Sequence, residues 1–147
     1  MKVNANGFYS LNGNNVIDFK EGSKAIDICE FLETIKAEND CGIIIVLDNL
    51  AAHHAKITAK KAEELGIILV FLPKYSPDLN PIEQIWKSIK KSASIAFIES
   101  EKHLEKLMCD SFVKLAVSKS FAKGWIEKFG EQIKSVYLSE ETQKYPS

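Results

Sequence analysis

The sequence predicts an α/β fold: a mixed sheet flanked by helices and followed by a helical C-terminal part, in a single domain over 1–147. Three observations predict it. Two wholly apolar runs, Gly42 to Leu47 and Ile67 to Leu72, bracket a stretch of helical periodicity, the strand–helix–strand order of a parallel pair. Upstream, two short runs meet across an Asn-Gly dipeptide, a strong hairpin signal. From Asn80 onward, apolar residues recur at helical spacing almost to the end.

Residues 3–11 (VNANGFYSL) and 15–19 (NVIDF) read as two antiparallel strands joined across LNGN. A helix over Ser23 to Glu38 sets Ala25, Ile28, Cys29, Leu32 and Ile35 at helical spacing, with Asn39 at its end. The strand 42–47 follows, then a helix from Ala55 to Leu65 closed by Gly66, then the strand Ile67 to Leu72 stopped by Pro73. A right-handed crossover makes those strands parallel neighbours, and their continuous apolar character implies that both faces are covered. Further helices are expected over Pro81 to Lys91, over Glu101 to Val117 on Leu104, Leu107, Met108, Phe112 and Leu115, and around Phe121, Trp125 and Phe129. The tail ETQKYPS is expected to fray.

A domain of 147 residues buries roughly 68 to 70% of its unfolded surface, enough for a real core. No apolar run approaches the ~18 to 20 residues of a membrane span, and MKVNANGFYS has no signal-peptide core, so no membrane partner and a cytoplasmic location are expected. Cys29, Cys41 and Cys109 are too far apart for a CxxC motif and read as reduced core thiols. The net charge of −1 argues weakly against nucleic acid. All 19 basic residues are lysine, so the arginine fork that reads guanine edges is missing and any contact with DNA should be to phosphate.

The stretch VLDNLAAHH poses the functional question, because an apolar strand ends abruptly on Asp48 and Asn49. In open α/β sheets, sites form at the carboxyl ends of the parallel strands. The loop after the second strand, PKYSPDLNPIEQIW, opens on the same edge and leads into the helix carrying Glu83, so Asp48 and Glu83 can meet. Two carboxylates brought together call for a hard divalent cation, Mg²⁺ or Mn²⁺, and such an arrangement serves phosphoryl transfer. Structural roles fit the same residues. Asp48 and Asn49 suit a turn or a helix cap. Asn80, Pro81, Ile82 and Glu83 suit a capping box, and Glu83 can pair with Lys87 one turn on. His53 and His54 suit helix-start polar residues, and Trp86 belongs to the core with Ile82, Ile85 and Ile89.

VLDNLAAHH and LPKYSPDLNPIEQIW together resemble the catalytic core of DDE transposases of the mariner-like superfamily, in its insertion-sequence branch. In this sequence 34 residues lie between Asp48 and Glu83, the spacing that branch places between its second and third catalytic acids. The resemblance spans about residues 7–130 and implies a ribonuclease H-like fold whose acids bind two Mg²⁺ or Mn²⁺ ions for strand nicking and strand transfer at transposon ends. By position it makes Asp48 and Glu83 the metal-binding acids, with Asn49, Asn80 and Pro81 shaping the site.

The resemblance starts at the family's second strand. Its first, central strand, which carries the first catalytic aspartate, and the preceding helix-turn-helix region are expected to lie outside this chain. Asp18 and Asp27 match neither. Two readings follow: the C-terminal part of a catalytic domain, completed by an upstream-frame transposase segment and inactive alone, or a non-catalytic remnant that binds a full-length transposase or DNA. A metal-dependent nuclease unrelated to transposition fits the loop motif less well. Lys56, Lys60, Lys61, Lys74, Lys87, Lys90 and Lys91 are the candidates for phosphate contacts, Lys74, Lys87 and Lys90 foremost.

Overall fold

A computed structural model of the chain describes residues 3–74 and 79–125. The expected helix position Phe129 and the C-terminal tail lie outside them. Strands β1 (Asn4–Phe8) and β2 (Val16–Lys20) pair antiparallel, with Phe8 opposite Val16. The Asn-Gly signal marks the right place, but the connection is the longer loop 9–15 rather than a two-residue turn. Polar side chains shape it: Ser10 Oγ accepts from the Gly13 amide at 2.7 Å, and Asn15 Oδ1 accepts from the Ser10 amide at 2.7 Å.

Helix α1 (Ala25–Glu38) starts where the Asp27 carboxylate accepts from the Lys24 amide at 2.9 Å and stops at Asn39. Asn39 is buried and fully used, accepting from the Asn14 amide and donating to the carbonyls of Asn14 and Ile35. It thereby fastens the hairpin loop to the end of α1.

Strands β3 (Ile43–Leu47) and β4 (Ile67–Phe71) are parallel, with Ile43 opposite Ile67 and Leu47 opposite Phe71. The crossover between them is broken in two. A one-turn helix α2 (Ala51–His54) ends at Ala55, whose ψ of 147° is extended, and α3 (Lys56–Leu65) then runs to Gly66. Gly66 closes it at φ 70°, the left-handed conformation that glycine adopts without a Cβ penalty. Thr58 is buried at the corner, its hydroxyl donating to the Ala52 carbonyl at 2.8 Å.

One core forms where α1 and α3 cover β3, β4 and the hairpin, around Ile28, Phe31, Leu32, Ile35, Ile43, Ile45, Ala62 and Ile67. Each large aliphatic side chain buried there stabilises the fold by about 1.5–3 kcal/mol. A second core lies on the hairpin's other face, where α4 (Ile82–Ile95) and α5 (Glu101–Ala116) bring Ile82, Ile85, Ile89, Phe112 and Ala116 together, with Trp86 stacked on Phe112 at 5.5 Å. Helix α6 (Ser120–Trp125) follows.

Two expectations are corrected. The parallel pair and the hairpin both form, but among the described residues they are separate two-stranded sheets rather than one hydrogen-bonded sheet. The β3–β4 pair is covered on one face only by the described residues: Ile44 is 50% and Ile68 38% exposed. No described helix is long and apolar enough to cross a membrane.

Candidate functional site

The site begins where β3 gives out. The last ladder bond runs from the Leu72 amide to the Leu47 carbonyl, 2.9 Å, and the next residue is Asp48. Opposite it, the chain returns through Asn80 and Pro81 into the first turn of α4, where the Glu83 amide bonds to the Asn80 carbonyl at 3.0 Å and the Gln84 amide to the Pro81 carbonyl at 3.1 Å. Asn80 Nδ2 reaches across to Asp48 Oδ1 at 3.5 Å. Asp48, His53, Asn80, Pro81, Glu83 and Trp86 line one groove of about 390 Å³.

That geometry decides between the readings of Asn80 and Glu83. No side chain caps α4, so the Asn80–Glu83 capping box is absent and the Asn80 amide turns to Asp48 instead. Glu83 sits at a helix N-terminus, where the backbone dipole favours negative charge. Burial and the nearby Asp48 charge nevertheless raise its pKa, and Lys90 offsets them only in part. Lys90, two turns along, is the cation that offsets them, and no Glu83–Lys87 ion pair forms among the described residues.

Asp48 and Asn49 cap no helix either, because α2 starts after Leu50 without a side-chain cap. The histidines are not at a helix start: they close α2 and reach back to the loop. His53 Nδ1 donates to the Asp48 carbonyl at 2.7 Å. His54 Nε2 bonds Asn49 Oδ1, and its ring stacks on Phe71 at 3.8 Å. Each ring lies five residues after its partner, a spacing already present in VLDNLAAHH.

Among the described residues no group of three or more His, Cys, Asp or Glu side chains is placed to hold a metal ion. Asp18 is spent on Lys20 at 3.0 Å and Asp27 on the cap of α1. The lysines divide. Lys61 is ion-paired with Glu33 at 2.9 Å and Glu64 at 3.4 Å, so the structure does not offer it to a phosphate. Lys56, Lys60, Lys74, Lys87, Lys90 and Lys91 are exposed. All three cysteines are free, but of these only Cys29 is buried; Cys41 is exposed and Cys109 half-buried, against the expectation of three core thiols.

A parallel pair and an antiparallel hairpin set between helices, with an acid at the end of a parallel strand and another at a helix start, define a ribonuclease H-like α/β fold. The comparison with solved structures agrees: the crystal structure of the Mos1 strand transfer complex is similar at a TM-score of 0.66 and 19% identity, over 93% of this chain. The chain spans 42% of the length of that Mos1 chain. Residues 1–105 match the DDE superfamily endonucleases, and the chain belongs to that family. No curated protein matches.

Proposed function

We propose that this chain is part of a transposase catalytic domain in which Asp48 and Glu83 are the second and third metal-binding acids, acting on the phosphodiester backbone of transposon ends. The observation that carries this reading is the convergence of Asp48, Asn80 and Glu83 on one groove, with the Asp48 charge acting on Glu83 and no side-chain cap to occupy it. An all-oxygen donor pair whose mutual repulsion is only partly relieved by a lysine suits a hard cation, Mg²⁺ or Mn²⁺. Such an ion, when bound, supplies Lewis-acid charge for phosphoryl transfer. The chain's own residues hold it and aim it: Asp48 and Glu83 as ligands, Asn80 orienting Asp48, Asn49 and Pro81 shaping the two turns. Lys74, Lys87 and Lys90 are assigned to DNA phosphates, in line with the likeness to a strand transfer complex.

Among the described residues Asp48 and Glu83 meet no third acid, and the fold suggests where one belongs. The groove is lined on one side by residues 5–8 of β1 and on the other by residues 43–47 of β3, each of which pairs with one strand only among the described residues. A fifth strand laid between them would satisfy both edges and join the two sheets into one mixed sheet. An upstream transposase segment carrying that strand and its aspartate is the partner proposed. The shortage also supports a second reading, a non-catalytic remnant that uses the same groove to bind a full-length transposase. A cytoplasmic location suits three free thiols.

The test is a nicking assay on transposon-end DNA with Mg²⁺ or Mn²⁺, using the chain alone and with an upstream transposase segment supplied in trans. Cleavage is expected only with the segment present, and Asp48→Ala and Glu83→Ala should each abolish it. Metal-dependent cleavage by the chain alone that both substitutions remove would mean that another acid completes the set. Binding of the segment without cleavage would favour the remnant.

A further inference from the structure

We propose that His53 is a positioning residue for Asp48: its imidazole fixes the peptide from which that carboxylate projects, where the strand ladder no longer can. The inference rests on the reading of Asp48 as a metal-binding acid. The last residue pair of β3 and β4 is Leu47 opposite Phe71, so the Asp48 carbonyl has passed beyond the sheet. It takes its hydrogen bond from His53 Nδ1 instead, at 2.7 Å. A carbonyl can only accept, so Nδ1 carries the proton in this contact. The Asp48 carboxylate itself meets Asn80 at 3.5 Å, the outer edge of hydrogen-bond geometry, so Asn80 alone holds it loosely and a fixed backbone at Asp48 adds to its placement.

The ring reaches back to that carbonyl from the single turn of α2. Ala55 breaks the helix at ψ 147°, and the buried Thr58 hydroxyl pins the corner to the Ala52 carbonyl. His54 repeats the device on the next residue, bonding Asn49 Oδ1 while stacked on Phe71. Two consecutive loop residues are thus each held by a ring five positions later. His53 lines the groove with Asp48 and Glu83, and the contact it makes there is with the Asp48 backbone.

The test is Mn²⁺ titration of the whole chain by water-proton relaxation, with thermal melting of each metal-free variant alongside. His53→Ala should weaken Mn²⁺ binding roughly tenfold or more, the usual cost of removing a group that orients a metal ligand. His53→Asn places an amide N–H where Nδ1–H stands and should restore affinity, whereas His53→Gln, with its donor one bond further out, should not. A role confined to folding would track melting temperature and would not separate Asn from Gln. If His53→Ala fails to fold, the Asn and Gln variants carry the comparison. Wild-type affinity in all three variants would overturn the role of His53 and leave the metal reading standing; a folded wild-type chain that takes no Mn²⁺ would overturn both.

Discussion

Glu83 shows how an electrostatic cost marks a site. Burial and the Asp48 charge raise its pKa in the folded chain, so the native state holds that proton more tightly than the unfolded state does. The resulting stability is fully present below the ordinary carboxyl range and is lost as pH rises through the raised folded value. Glu83 is only half-buried and solvent screens much of that cost, so Glu83→Gln should melt slightly above the wild type, by about 1 °C, at neutral pH without metal. The difference should vanish below about pH 4, where both side chains are neutral. Equal melting at both pH values would show that the carboxylate pays no such penalty. At this scale the sequence was informative about which residues meet and less so about how. The 34-residue spacing and the loop motif point to Asp48 and Glu83. Asn80 also reads as a cap, because the pattern Asn-Pro-x-Glu is equally that of a capping box; its turn toward Asp48 depends on tertiary approach. The histidine contacts depend on the one-turn helix α2, which no periodicity signals.

Among the elements, α4 matters most, since it carries Glu83 to the groove. Its approach is set by a glycine. A Cβ on Gly7 would lie 2.6 Å from Trp86 Cζ2, 2.9 Å from Ile82 Cδ1 and 3.0 Å from Phe112 Cε2, so β1 and α4 come together only because that side chain is missing. Gly7→Ala should cost about 1–3 kcal/mol as overpacking, read as a lower denaturant midpoint, and should weaken Mn²⁺ binding by moving α4 away from Asp48. An unchanged midpoint would mean that the ring and methyl groups make room freely. The helices and strands themselves were legible: β3, β4, α1 and α5 fall within a residue or two of their periodic patterns. Two features were not. The crossover helix α3 starts within a residue of its expected start at Ala55, but the one-turn helix α2 ahead of it was not read. The outer face of β3 and β4 reads as covered because Ile44 and Ile68 are as apolar as the inward residues, whereas the described helices pack on the other side.

For the whole molecule, the element order implied the parallel pair and the hairpin, while the groove separating them came from three-dimensional packing that no local pattern encodes. The charge distribution belongs to this scale too. With a net charge of −1 and no arginine, binding to duplex DNA should be weak, indifferent to sequence and steep in salt. Lys87→Ala and Lys90→Ala should each lower the slope of log affinity against log salt by about one if both meet phosphates; unchanged slopes would remove them from the interface. The central claim is that Asp48 and Glu83 share one divalent ion, and calorimetric titration of the chain with Mn²⁺ tests it most directly. The account predicts one ion bound per chain, with binding lost in both Asp48→Ala and Glu83→Ala while each variant stays folded. Binding that survives either substitution, or a folded wild-type chain that binds no ion, would contradict it.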